Sequence, residues 1–345
     1  MIPLFMLNVP MRRPNLNYQR LHPLRLFHEN QDILRSKYRM REEHLHRLCN
    51  LVAPLMSQET TPNWSVDIEN KVVIALRYLA ANAHQMVLAD NIGVCQKTVS
   101  NAIEEFVTAL NHPSIVGKFL NCRLNDVTYC RRKANGFARK GLLPNIIGAI
   151  DGSLVPILRP PHSGWEYYCR KGFCALNVVA VVDARGRFMN INSNFPGSVH
   201  DSTVYNMSRI HDAFTEGSVP NGFCLIGDSG FANNNEIVTP FRNPQTRSQR
   251  KFNETHKKMR VIVECVLGDW KERFKILETT IRLEPDKAAQ VVMACAVLHN
   301  MMISMRCGTM RSLGRRLASI THPPVGCRNI KDYLTSQIIN YLSSL

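Results

Sequence analysis

From Arg39 onward the apolar residues of this chain recur at threes and fours. Leu45, Leu48, Cys49, Val52 and Leu55 keep the 3.6-residue period of a helix with one buried face. Pro62 precedes a second stripe, at Val72, Val73, Leu76 and Leu79, and two more helices are predicted between His84 and Leu110. After Pro144 the pattern changes. NIIGAID, ALNVVAVVD and RFMNINSNF are short β-branched runs, with Asp183 to Gly186 as a hairpin turn between the second and third. A helix is predicted to start near His200-Asp201-Ser202. Next come a strand in FCLIGDSGF, a polar loop over 233–255, and long helices over about 255–274 and 286–305. The order βββαβ, then α, predicts an α/β domain whose strands share one sheet.

This pattern divides the chain into five parts. Residues 1–35 are a basic, poorly ordered arm, 36–113 are all-α, and 114–143 are a basic linker with Arg131, Arg132, Lys133, Arg139 and Lys140. Residues 144–305 form the α/β core, and 306–345 are a basic C-terminal extension.

Charge narrows the class of partner. The 345 residues carry 43 Lys and Arg against 27 Asp and Glu, a net charge of +16, which favours a polyanion and nucleic acid first. No run of eighteen apolar residues occurs, so no membrane helix is expected. The apolar patch at the start lacks the basic region and cleavage site of a signal peptide. The eleven cysteines are scattered, with Cys169 and Cys174 an isolated pair. They fit reduced thiols better than a disulfide frame or a zinc cluster. His22, His28, His44 and His46 lack Cys or Asp at ligand spacing and read as surface side chains.

Two apolar runs reach an aspartate followed closely by glycine: GAIDG at Asp151 and LIGDSG at Asp228. Asp-Gly is a hairpin signal. A carboxylate at a strand end is also where an α/β sheet gathers ligands. Neighbouring strands would bring Asp151 and Asp228 within reach of one hard divalent cation, such as Mg²⁺, which takes oxygen ligands. In KKMRVIVECVLGDWKERF, the side chains of Val263, Val266, Leu267, Trp270 and Phe274 make one apolar face. Arg260, Glu264 and Lys271 fall within about 40° of each other along its edge. Glu264 is therefore the candidate third acid, flanked by two bases that suit a DNA backbone. The competing reading is a solvated face with Arg260 and Glu264 paired at i,i+4.

QMVLADNIGVCQKTVSNAIEEF has helix-turn-helix spacing. Ala89 sits where the helices would cross, Gly93 supplies the turn, and Val99 and Ile103 face inward. Gln96, Lys97, Thr98, Ser100 and Asn101 would form the outward side of a recognition helix. Two ordinary packed helices would show the same apolar spacing. Ser229 has no His/Asp context of a serine hydrolase.

GAIDG, YYCRKGFCALNVVAVVD, PGSVHDSTVY, LIGDSGF and RVIVECVLGDWKERFKIL follow one another in an order that resembles the PIF/Harbinger transposases. The resemblance spans about residues 39–305 and extends to the nucleases derived from these transposases. It implies a ribonuclease H-like DDE catalytic core over 144–305, behind the N-terminal helix-turn-helix region. Asp151, Asp228 and Glu264 are then the catalytic acids and, with Asp201, the metal-site residues. For Asp201 a helix N-cap role stands beside that one. Arg260 and Lys271 match DNA-binding positions beside the glutamate. The cofactor implied is Mg²⁺ or Mn²⁺, and the reaction is in-line attack on a DNA phosphodiester. The partners implied are DNA and a Myb-like DNA-binding protein, with homo-oligomerisation left open. A location in the nucleus, with the cytoplasm as a second one, follows. The chain departs from the family at Phe231, where tyrosine is usual, and at Leu267, where phenylalanine is usual. A domesticated DNA-binding or protein-interaction module without cleavage is the rival reading.

Overall fold

The computed structural model describes residues 31–56, 66–162, 164–305 and Ser336. The predicted arm up to residue 30, the C-terminal extension, His22 and His28 lie outside the described residues.

Residue 175 begins ALNVVAVV, an unbroken apolar run in which every position is buried. Such a strand needs cover on both faces, and the architecture follows from it. Strand β1 (Ile146–Pro156) pairs antiparallel with β2 (Ala175–Val182), which pairs antiparallel with β3 (Phe188–Pro196). The turn between β2 and β3 has Gly186 at φ 78°, and Asp183 Oδ1 accepts the N–H groups of Arg185 and Arg187. Two short strands, β4 (Cys224–Ile226) and β5 (Ile237–Val238), then add in parallel on the other side of β1. The sheet order is β3-β2-β1-β4-β5.

Among the described residues seven α-helices precede the sheet: α1 (Gln31–Tyr38), α2 (Glu42–Val52), α3 (Ile68–Ala81), α4 (Gln85–Ile92), α5 (Gln96–Leu110), α6 (Pro113–Phe119) and α7 (Val127–Ala138). Two short helices, α8 (Asp201–Asn206) and α9 (Arg209–Thr215), lie between β3 and β4. Two long ones, α10 (Arg247–Arg273) and α11 (Pro285–Ser304), follow β5. One apolar cluster joins α1–α5 to Ala149 and Val155 of β1, to Val263 and Trp270 of α10, and to α11. A smaller cluster on the opposite face joins Tyr129 and Cys130 of α7 and Val204 and Tyr205 of α8 to Ile147 and Ile150.

Several expectations change. Residues 114–143 are not a linker: α6 and α7 occupy most of them, and α7 buries Tyr129, Cys130, Ala134 and Phe137. Their basic side chains alternate with an apolar stripe that the charge obscures. Helix α10 starts at Arg247, inside the predicted polar loop, because Thr246 and Gln249 form a capping box there. Asp151 does not end its strand or start a hairpin, since β1 continues to Pro156. His44 is buried rather than on the surface. The nine described cysteines are all free. No helix among the described residues is long and apolar enough to cross a membrane.

Candidate active site

The place of the two aspartates follows from strand register. In the parallel pair, Ala149 of β1 lies opposite Ile226 of β4. Asp151 and Asp228 each stand two residues beyond this last pair, near enough for the Asp228 charge to act on the Asp151 carboxyl. Strand β4 ends at Ile226 while β1 runs on, so Asp151 sits where β1 loses that neighbour. Asp228 caps its own turn, its Oδ1 accepting the Gly230 N–H at 2.8 Å.

Helix α10 crosses this opening. Val263, Val266, Leu267 and Trp270 are buried, which fixes its rotation and turns Arg260 and Glu264 toward β1. Arg260 Nη1 donates to Asp151 Oδ2 at 3.2 Å, and Nη2 pairs with Glu264 Oε1. The i,i+4 pair of the solvated-face reading therefore exists, but the same guanidinium also holds Asp151. One cation bridges two of the three predicted acids. Glu264 is about half exposed and can turn.

Burial pushes the Asp151 carboxyl up to about 6; Arg260 opposes the rise, while Asp228 and Glu264 add to it. Three carboxylates thus share one counter-charge. Among the described residues, no group of three His, Cys, Asp or Glu side chains is gathered to hold a metal ion as it stands. The donor chemistry nevertheless fits a hard cation. The groups are all carboxylates, Asp151 shares its one cation with Glu264, and the half-exposed Glu264 side chain has room to turn.

Asp201 lies elsewhere. It is the first residue of α8, behind His200 at the N-cap, and makes no cap bond. Its Oδ1 accepts the Asn177 Nδ2 at 2.7 Å. A Cβ on Gly152 would collide with its carboxylate, so it packs on the face of β1 opposite Asp151. Lys271 also stands apart from the acids. Its Nζ donates to the Leu154 carbonyl at 2.6 Å, and burial, then Lys171, brings it down to about 8.

In the N-terminal helices, Gly93 has φ 72° and its N–H returns to Ala89 O. Ala89, Val99 and Ile103 are buried, while Gln96, Lys97 and Asn101 are exposed and Thr98 and Ser100 half-buried. These five lie along α5, remote in sequence from the acids. Two contributors escape a motif reading, Asn177 and Gly152. Asn177 is only 2% exposed, and its Nδ2 also reaches Val199 O at 2.7 Å. An asparagine inside ALNVVAVV was its signal, because a buried amide demands partners.

Residues 150–300 match the DDE superfamily endonuclease family. HARBI1 of Rattus norvegicus, named as a nuclease, is 26% identical over 302 residues, covering 87% of this chain and 85% of that protein. Protein ALP1-like from Arabidopsis thaliana is 25% identical, covering 78% of this chain and 70% of its own length. A second Arabidopsis thaliana protein, named Antagonist of like heterochromatin protein 1, is also 25% identical, over 70% of this chain and 64% of its own. No solved structure matches. A DDE endonuclease domain implies a ribonuclease H-like core, and the mixed five-stranded sheet agrees with one. The stretch holding Asp151, Asp228 and Glu264 matches the DDE superfamily endonuclease family, in a chain that is similar to the Harbinger transposase-derived nucleases over most of its length.

Proposed function

We propose that this chain cleaves DNA phosphodiester bonds with a divalent cation, Mg²⁺ or Mn²⁺, held by Asp151, Asp228 and Glu264. The observation that carries the reading is the Arg260 guanidinium shared by Asp151 and Glu264, with Asp228 close enough for its charge to raise the Asp151 carboxyl. When bound, the cation supplies an activated water or 3′-hydroxyl and charge neutralisation at the scissile phosphate.

The protein's own groups prepare that chemistry. Asp151, with its carboxyl near 6, is ionised above neutral pH and offers an anionic oxygen. Glu264, on the exposed flank of α10, closes on the site by a side-chain rotation. Arg260, once released from the acids, presents a planar fork of donors to a phosphate. Lys271 adds positive charge further along α10. Asp201 braces β1 from behind, through Asn177 and the space that Gly152 leaves open. Gln96, Lys97, Thr98, Ser100 and Asn101 of α5 engage DNA at a distance from the cut. The reading brings with it a nuclear location and a Myb-like partner that adds site recognition.

The test is cleavage of duplex DNA with Mg²⁺ or Mn²⁺ by the full chain. Asp151→Asn, Asp228→Asn and Glu264→Gln should each lose at least about a hundredfold in rate, with unchanged circular dichroism and unchanged DNA affinity in EDTA. Full activity in any one removes that residue from the site. A second reading, a binding module without cleavage, draws on the relative named as antagonist of a heterochromatin protein. On that reading the wild type is inactive with every divalent cation.

A further inference from the structure

Between β1 and β2 the chain makes a loop, residues 157–174, that places large apolar side chains in water. Trp165 is 73% exposed, Leu158 59% and Tyr168 57%. An exposed tryptophan commonly marks a contact surface. The loop is not loose. Ile157 N–H donates to Cys174 O, Leu158 N–H to Ile281 O, Cys169 N–H to Phe173 O and Ala175 N–H to Tyr167 O, all at 2.9 Å. Gly164 is buried beneath the Arg159 side chain, where a Cβ would meet Arg159 Cγ at 2.7 Å. The rings are held outward by a fixed backbone.

Charge selects the occupant. The loop holds Arg159, Arg170 and Lys171 against one acid, Glu166. All three bases are exposed, and among the described residues none forms an ion pair with a carboxylate. Lys171 lies close enough to Lys271 for its charge to lower that amine. Lys271 is seven residues, about 10 Å, along α10 from Glu264. A line of positive charge therefore leads from the acids to the aromatic loop. Basic groups interleaved with exposed rings suit a nucleic-acid strand with unpaired bases, since phosphates take the charges and bases stack on the rings.

We infer that the 157–174 loop is a strand-holding platform, on which an unpaired base of the DNA next to the cleavage point stacks on Trp165 or Tyr168 while Arg170 and Lys171 take its phosphates. The inference rests on the nuclease reading for its substrate, yet its test needs no cleavage. In EDTA, fluorescence anisotropy of the full chain is measured with three labelled DNAs: a blunt duplex, the same duplex with a single-stranded tail, and one whose tail is abasic. Wild type should bind the tailed duplex about tenfold more tightly than the other two. Trp165→Ala should lose that advantage without a change in thermal midpoint, because the ring is solvent-facing, and Trp165→Phe should keep most of it. Arg170→Ala with Lys171→Ala should weaken all three DNAs together. Equal affinity of wild type for the tailed and abasic DNAs would overturn the platform. So would an undiminished preference in Trp165→Ala and in Trp165→Ala/Tyr168→Ala, which would make the surface one for protein. A wild type that cleaves no DNA with Mg²⁺ or Mn²⁺ yet shows this tail preference in EDTA would count against the nuclease reading and leave the platform standing.

Discussion

Asp151 carries opposite demands. Buried, and near two other carboxylates, its carboxyl is raised from 3.8 to about 6. The folded chain therefore holds this proton more tightly than the unfolded chain does. Stability contributed by Asp151 falls as pH rises through that interval and stays lower above it. In EDTA, Asp151→Asn should stabilise the protein at pH 7.5 by on the order of 1–2 kcal/mol, net of the lost Arg260 pair. The gain should be about half as large at pH 5. Urea unfolding at both pH values measures it. Equal effects would mean that burial does not govern the group. A side chain that destabilises its own fold marks a position kept for function rather than for stability.

At the scale of elements, β1 is shaped from two sides. On one face it presents Asp151 to α10; on the other, Gly152 leaves room for the Asp201 carboxylate at the start of α8. Gly152→Ala should cost about 1–3 kcal/mol, as overpacking does, and much less in an Asp201→Ala background. The double-mutant cycle by urea denaturation reads the coupling between the two positions. Additive losses would show that Asp201 does not occupy that space. The collision lies across the strand from Asp151, so displacement of Asp201 in Gly152→Ala should also reduce cleavage.

The whole molecule has no seam between its helical and sheet parts in the described residues. Asn82, at φ 48°, ends α3 and donates through Nδ2 to Thr279 Oγ1 and Thr280 O. Asn111 Nδ2 reaches Gln290 O, Lys287 pairs with Glu104, and Asn300 Nδ2 reaches Phe119 O. The main apolar cluster runs through both parts. Thermal unfolding should therefore give a single transition, with the calorimetric and van't Hoff enthalpies equal. A fragment restricted to 144–305 should fail to fold, because removing α5 and α6 exposes the apolar side of α11 and removing α3 uncovers residues 275–277. Two separate transitions, or a folded fragment with intact near-ultraviolet dichroism, would contradict this.

What was legible in the sequence was whatever a local period or an ordered motif set records. The helical stripes, the buried run of β2 and the apolar face of α10 belong to that class, because burial on one face repeats at 3.6 or 2 residues; Asp151, Asp228 and Glu264 are nominated by their motifs instead. The start of α10 was missed because its first turns are polar and rest on a cap rather than a stripe. Helix α7 was hidden by its own surface charge. Strand register is a different kind of information. That Asp151 and Asp228 come near each other depends on which strands pair, in which direction and with what offset, and none of these is encoded within either segment. The same holds for Arg260 serving two acids at once, for Asp201 lying behind β1, and for exposed rings on a backbone pinned at both ends. Periodicity in the chain sets which face of an element is buried; only packing decides what that face meets.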